Sequence, residues 1–137
     1  SFKAGLAFTR AYVGNVHSIA HTLGGSYGVP HGLANAIILP KVLRYYGKTI
    51  YSKINSICEQ LNQFSGNTPE QKTNKFIEKI ENLNKTFNIP TFVESLKEED
   101  INMLVERAYK ESNPLYPVPM IFTRPDFKNI YLSLLKN

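Results

Sequence analysis

The sequence predicts an all-α fold: one compact domain over residues 1–137, with about six or seven helices. Apolar residues recur at helical spacing along most of the chain, and glycine and proline separate these periodic segments. No two alternating segments joined by a tight turn indicate a β-hairpin. With 42% hydrophobic residues, the chain of 137 residues can build one core, and its length favours one domain over two.

The first two predicted helices are strongly apolar. Residues 4–23 are expected to form a single central helix, buried because apolar side chains cover all of its sides. Gly24–Gly25 is expected to end it, and Pro30 occupies a position where a second helix commonly begins. This second helix should run to about Tyr46, and Pro40 should bend or restart it because proline removes one backbone donor.

The later helices are predicted to be amphipathic or short. Residues 113–122 contain three prolines and are expected to be non-helical. The acidic run 98–100 suits the start of a helix, since negative charge is favourable there. The remaining helices are expected at 50–61, at 76–87 with a Thr68 cap, at 101–108, and in a terminal segment up to Leu134 that opens with a Thr123–Asp126 capping box.

Composition excludes several classes of partner. The net charge of +5 could favour a polyanion, but the basic residues are spread out or alternate with glutamates, so no nucleic-acid partner is expected. No apolar run approaches the roughly 20 residues of a membrane span. The single Cys58 and the lack of a signal peptide favour a cytoplasmic location. Ser1 is interpreted as a cut within a longer sequence.

All three histidines lie between positions 17 and 31. His17 and His21 are four residues apart, so they share one helix face, and a glycine-rich turn could bring His31 opposite them. Five of the eight glycines, at positions 14, 24, 25, 28 and 32, surround these histidines. Imidazoles in this arrangement suit zinc, iron, copper or nickel. The alternative interpretation is that each histidine is packed and bonded to a backbone carbonyl.

Other chemistries find no support in the sequence. There is no Gly-x-Ser-x-Gly elbow, and Ser18 stands where a zinc protease of the His-Glu-x-x-His type needs glutamate. Cys58 is interpreted as a small core residue, and no βαβ unit is present to hold a nucleotide. Two non-enzymatic functions stay open: a helical protein-interaction module with packed histidines and, less favoured, a metal-storage bundle, which would need Glu-x-x-His pairs.

Several segments together resemble the signature of the iron-containing (group III) alcohol dehydrogenases. They are Ala4–Phe8, Gly14–His21, Leu23–Gly25 and Pro30–Pro40, and the tail 113–131 is similar to the end of that family. The resemblance implies the family's C-terminal domain, an all-helical domain of the dehydroquinate synthase-like kind. Members also carry an N-terminal α/β domain that binds the dinucleotide, and this chain does not include it.

The resemblance also implies roles for the histidines. His17 and His31 match two ligands of a divalent metal, Fe²⁺ or Zn²⁺, whose other ligands, an aspartate and a histidine, would precede Ser1. His21 matches a histidine of the active-site cleft and is expected to be catalytic. The metal would act as a Lewis acid on the alcohol oxygen, with hydride passing to NAD or NADP held mainly by the absent domain of the same polypeptide.

The substrate and the assembly stay open. A small alcohol or aldehyde is implied, but the tail reads Asn-Pro-Leu-Tyr-Pro-Val-Pro from Asn113, where many members have arginine after the first proline. Homo-oligomerisation, the choice of coenzyme and the metal are also undecided. Without the nucleotide domain and half of the metal ligands, the isolated chain is expected to be inactive.

Overall fold

The computed structural model describes residues 2–64 and 66–136, and within them the chain is all-helical, with no strand. This confirms the predicted all-α class. Two short 3₁₀ turns, Gly47–Ile50 and Glu98–Asp100, precede α4 and α6. The α-helices are α1 (Phe2–Ala11), α2 (Asn15–Tyr27), α3 (His31–Tyr46), α4 (Tyr51–Gln60), α5 (Pro69–Thr86), α6 (Ile101–Ser112) and α7 (Arg124–Ser133).

Helix α2 lies at the centre of the packing. It contacts α3 on one side and α6 on the other, while α7 packs on α6 and α5 packs on both α3 and α4. The largest fully buried side chains come from several helices, so one continuous core joins them. They include Ile19, Leu23, Ile38, Leu104, Phe127 and Tyr131. The core therefore holds α2 rigidly, which matters because α2 carries two of the histidines.

The prediction of one buried helix over residues 4–23 is wrong. The chain forms two helices there, because Tyr12 takes a positive φ of 58° and Gly14 is extended, which breaks the helical path between Ala11 and Asn15. Only α2 is buried: on α1, Phe2 is 78% exposed and Leu6 is 52% exposed. Apolar character on all sides thus predicted burial correctly for α2 and incorrectly for α1.

The predicted helix stop at Gly24–Gly25 is also wrong. Both glycines lie inside α2, which continues to Tyr27 and ends at Gly28. Gly28 has φ 67° and ψ 20°, the left-handed conformation in which glycine avoids the steric cost of a side chain, and its N–H donates to the Gly24 carbonyl. The short connection through Val29 and Pro30 then reverses the chain into α3.

Most of the remaining local predictions are confirmed. The Thr68 side chain caps α5 by accepting from the Gln71 N–H, and Thr123 and Asp126 form the expected reciprocal capping box on α7. No helix lies between the end of α6 and the start of α7. Pro40 is buried within a single α3, so it does not restart the helix. Cys58 is a buried free thiol, as expected.

Within the described ranges, no helix combines the length and the apolar character needed to cross a membrane.

Candidate active site

The three histidines, two on α2 and one at the start of α3, lie close together. The ring centroid of His17 lies 5.9 Å from that of His21 and 5.4 Å from that of His31, and His21 and His31 stack at 5.3 Å. The i,i+4 spacing on α2 and the tight turn before α3 together produce this cluster. His21 and His31 are exposed and His17 is half-buried, so the three rings are not packed as core histidines.

The opposite face of α2 is fixed by the core. Ile19 and Leu23 are fully buried there, and the Thr22 hydroxyl lies 2.5 Å from the hydroxyl of buried Tyr131 on α7. At the start of the helix, Asn15 is 1% exposed and its amide donates to the Met120 carbonyl at 3.1 Å. These contacts determine which side of α2 faces outward, and thereby the direction of the imidazoles.

His21 has a carboxylate partner from a distant part of the chain. Its Nδ1 lies 2.7 Å from Oε1 of Glu111, near the end of α6, and the Tyr116 hydroxyl donates to the same oxygen at 2.7 Å. Ninety positions separate His21 from Glu111, so no local sequence pattern could have identified this pair. Packing of α6 on α2 brings the two together.

His31 has a local partner, Asn35, one turn further along α3. The Asn35 amide nitrogen donates to Nε2 of His31 at 2.9 Å. Sequence reasoning did not single out Asn35, although its i,i+4 spacing is a signal that could have found it. The same lone pair of His31 would face a metal ion bound at Nε2, so binding through that atom requires this hydrogen bond to open.

The surroundings of His17 favour its neutral form. Burial lowers the pKa of His17, and repulsion from the neighbouring imidazoles of His31 and His21 lowers it further, whereas the Glu111 carboxylate acts in the opposite direction. A neutral imidazole is the form that binds a metal, because the coordinating nitrogen must keep its lone pair.

Each pair of imidazoles is close enough for the two rings to bind one ion. Two rings that bind one metal through nitrogens at about 2.1 Å have centroids at most about 6.4 Å apart, and all three pairs satisfy this condition. Within residues 2–64 and 66–136, however, no group of three or more His, Cys, Asp or Glu side chains is arranged to hold a metal ion.

A cavity of about 490 Å³ adjoins His17. Its walls come from the α1–α2 connection, from α3, and from the proline-rich segment that precedes α7. Tyr12, Val13, Leu39, Tyr46 and Val118 contribute much of the surface. This volume lies in the range of small-molecule sites in proteins.

Comparison with known proteins identifies the family. The model of the Fe-containing alcohol dehydrogenase family, C-terminal, matches residues 1–135. The chain belongs to the iron-containing alcohol dehydrogenase family. The match covers the C-terminal domain of this family, as the resemblance of the sequence implied.

Individual iron-containing alcohol dehydrogenases are similar over most of the chain. NADPH-dependent butanol dehydrogenase of Clostridium saccharobutylicum is 40% identical over 99 residues, which are 72% of this chain and 24% of that protein. 1,3-Propanediol dehydrogenase of Klebsiella pneumoniae is 38% identical over 116 residues, or 82% and 30% of the two chains. The crystal structure of a 1,3-propanediol oxidoreductase superposes with a TM-score of 0.86 at 32% identity, covering 96% of this chain and 35% of that one. The chain thus spans about a quarter to a third of the length of these relatives.

Proposed function

We propose that this chain is the metal-binding C-terminal part of an NAD(P)-linked dehydrogenase that interconverts a small alcohol and its aldehyde by hydride transfer. The observation that carries the proposal is the convergence of three imidazoles on one exposed face of a domain that belongs to the iron-containing alcohol dehydrogenase family. Because the chain covers only part of its relatives, the second half of the site would come from an N-terminal nucleotide-binding domain of the same polypeptide.

His17 and His31 are the proposed metal ligands. Their ring centroids are 5.4 Å apart, and burial lowers the pKa of His17, which favours the neutral form that a ligand requires. An aspartate and a further histidine outside this chain would complete a mixed nitrogen and oxygen set that accepts Fe²⁺ and also Zn²⁺. When bound, such an ion supplies Lewis-acid polarisation of the alcohol oxygen.

His21 is the proposed catalytic histidine. Its imidazole stacks on His31 at 5.3 Å, close to the proposed ligands, and it is exposed on the side where a second domain would meet this one. Because its Nδ1 contacts Glu111, its Nε2 is the nitrogen available to exchange a proton at the substrate side of the cleft.

The substrate class follows from the relatives and from the cavity. The names of the relatives specify butanol and 1,3-propanediol, which supports a short alcohol or diol as the substrate. One name also specifies NADPH, which supports NAD or NADP as the coenzyme. The cavity beside His17 is large enough for a molecule of that size.

The experiment that tests this proposal uses the full-length protein that contains the chain. We expect NAD- or NADP-linked oxidation of short alcohols that is lost on chelation and restored by Fe²⁺ or Zn²⁺. The 137-residue chain alone should be inactive under the same conditions. Turnover by the chain alone at about 1 per second or more would contradict the proposed division of the site. Failure of the metal-loaded full-length protein to oxidise any short alcohol would contradict the function itself.

A further inference from the structure

We propose that Glu111 is a positioning residue for His21, which holds the imidazole in the tautomer with hydrogen on Nδ1 and leaves Nε2 free to accept a proton. The inference rests on the proposed function, because the positioning matters only if His21 exchanges protons with substrate. It concerns a residue on α6, remote in sequence from the histidine cluster on α2 and α3.

The direction of the hydrogen bond fixes the tautomer. Glu111 Oε1 lies 2.7 Å from Nδ1 of His21. An ionised carboxylate can only accept, so the hydrogen must belong to Nδ1, and a neutral imidazole then has its lone pair on Nε2. The contact also restricts rotation of the ring about its bond to Cβ, because only one ring orientation keeps Nδ1 on Glu111.

Tyr116 holds the carboxylate in turn. Its hydroxyl donates to the same Oε1 at 2.7 Å, from the proline-rich segment between α6 and α7. Burial, followed by the effect of Glu111, raises the pKa of Tyr116 to about 12, so the hydroxyl stays a donor at neutral pH. His21, Glu111 and Tyr116 therefore form a chain of hydrogen bonds that reaches from the segment before α7 to the catalytic imidazole.

Stability alone does not explain this arrangement. The side chain of His21 is 43% exposed and that of Glu111 is 30% exposed, and ion pairs with such access to water typically contribute only about 0–1 kcal/mol. What the contact does provide is orientation: a carboxylate bonded to one imidazole nitrogen sets the tautomer and the ring direction of a catalytic or metal-binding histidine.

The test is a measurement of the imidazole nitrogens of His21 by NMR on the ¹⁵N-labelled chain. The chain has three histidines, so loss of one ring pattern in His21→Gln assigns the signals. Only a neutral imidazole has a tautomer to measure, so the spectrum is recorded in alkaline buffer. We expect the wild-type chain to show a protonated Nδ1 and an unprotonated Nε2.

Variants separate positioning from a general structural effect. Glu111→Ala should shift His21 toward the opposite tautomer, with hydrogen on Nε2, which water-exposed imidazoles favour. Glu111→Gln should largely restore the wild-type pattern because its amide oxygen can still accept from Nδ1. Glu106→Gln is the matched control: it removes a carboxylate from the same helix that pairs with Arg124 instead, and should leave the His21 signals unchanged.

A wild-type His21 with hydrogen on Nε2 would overturn the proposal without any variant, and so would an unchanged tautomer in a folded Glu111→Ala chain. This measurement needs no metal, coenzyme or turnover. Its failure would therefore leave the proposed dehydrogenase function standing, whereas a full-length enzyme without alcohol activity would leave the tautomer result intact.

Discussion

Tyr131 shows how one buried residue positions the histidine helix. It is fully buried on α7, and its hydroxyl lies 2.5 Å from that of Thr22 on α2. The Thr22 hydroxyl also lies 2.7 Å from the Ile19 carbonyl and the Tyr131 hydroxyl 3.4 Å from the Leu104 carbonyl, so either hydroxyl can donate in the contact between them. Burial raises the pKa of Tyr131 far above its usual value, which keeps the hydroxyl protonated.

Tyr131→Phe removes this buried hydroxyl without opening a large cavity. We expect the free energy of unfolding to fall by about 1 kcal/mol, the usual effect of losing one buried hydrogen bond, as measured by urea denaturation. Tyr12→Phe is the control, since Tyr12 is 67% exposed and its variant should unfold at the wild-type urea concentration. A Tyr131→Phe chain as stable as wild type would show that the Thr22 contact does not hold α2.

At this scale, part of the site could be predicted from sequence and part could not. The spacing of His17 and His21 and the short turn before His31 are local features, so their convergence was predictable. Glu111 reaches His21 only through the packing of α6 on α2, and Tyr116 in turn contacts Glu111. No sequence pattern near the histidines encodes these contacts.

At the scale of elements, α1 and α2 show that apolar composition alone does not predict which helix is buried. The apolar pattern over residues 4–23 suggested one helix, but Tyr12 and Gly14 adopt non-helical conformations between two helices. Gly24–Gly25 failed to stop α2 because glycine only weakens a helix, by about 1 kcal/mol per residue, and tertiary packing of α2 outweighs this. The Thr68 cap and the Thr123–Asp126 capping box were predicted correctly because they depend on local hydrogen bonds alone.

Helices α3 and α5 are joined by a bidentate ion pair whose contribution to stability depends on pH. The Nε and one terminal nitrogen of Arg44 donate to the two oxygens of Glu81, each at 2.7 Å. This contact with Arg44 lowers the pKa of Glu81 from its usual 4.5. The folded state therefore stabilises the carboxylate form of Glu81. Its contribution to the free energy of unfolding is fully present above the pKa that Glu81 has in the unfolded chain. That contribution is lost as the pH falls through the lower pKa that Glu81 has in the folded chain.

Glu81→Gln should lower the free energy of unfolding by at most about 1 kcal/mol at neutral pH, since both partners are 40% or more exposed and water screens the pair. Denaturation at a series of pH values should show the difference from wild type shrinking below about pH 4.5. Glu94→Gln breaks the more exposed single contact with Lys136 and should have a smaller effect. A Glu81→Gln deficit that grows toward acid pH would contradict this assignment.

At the scale of the whole molecule, we expect the fold to be independent of the proposed metal. The core that joins α2, α3, α6 and α7 consists of apolar side chains, and the histidines lie on its outer side. The all-α class was accordingly predictable from hydrophobic periodicity. Periodicity does not indicate whether a site is shared with another domain.

Chelation should therefore strip metal from the isolated chain and leave its helices intact. With two of the proposed ligands, the chain should hold Fe²⁺ or Zn²⁺ weakly, and dialysis against a mild chelator should not change the far-ultraviolet circular dichroism. Re-addition of the ion to the dialysed chain should likewise leave the spectrum unchanged. A large loss of helicity on chelation would reveal a structural site instead, in which metal binding drives folding.

Metal content of the full-length protein directly tests the proposal that His17 and His31 are ligands and His21 is not. Elemental analysis should show that His17→Ala and His31→Ala each lose most of the bound metal, because each removes one nitrogen ligand. His21→Ala is the matched control and should retain most of the metal while turnover falls. Full metal retention in His17→Ala or His31→Ala, or equal loss in all three variants, would contradict the account.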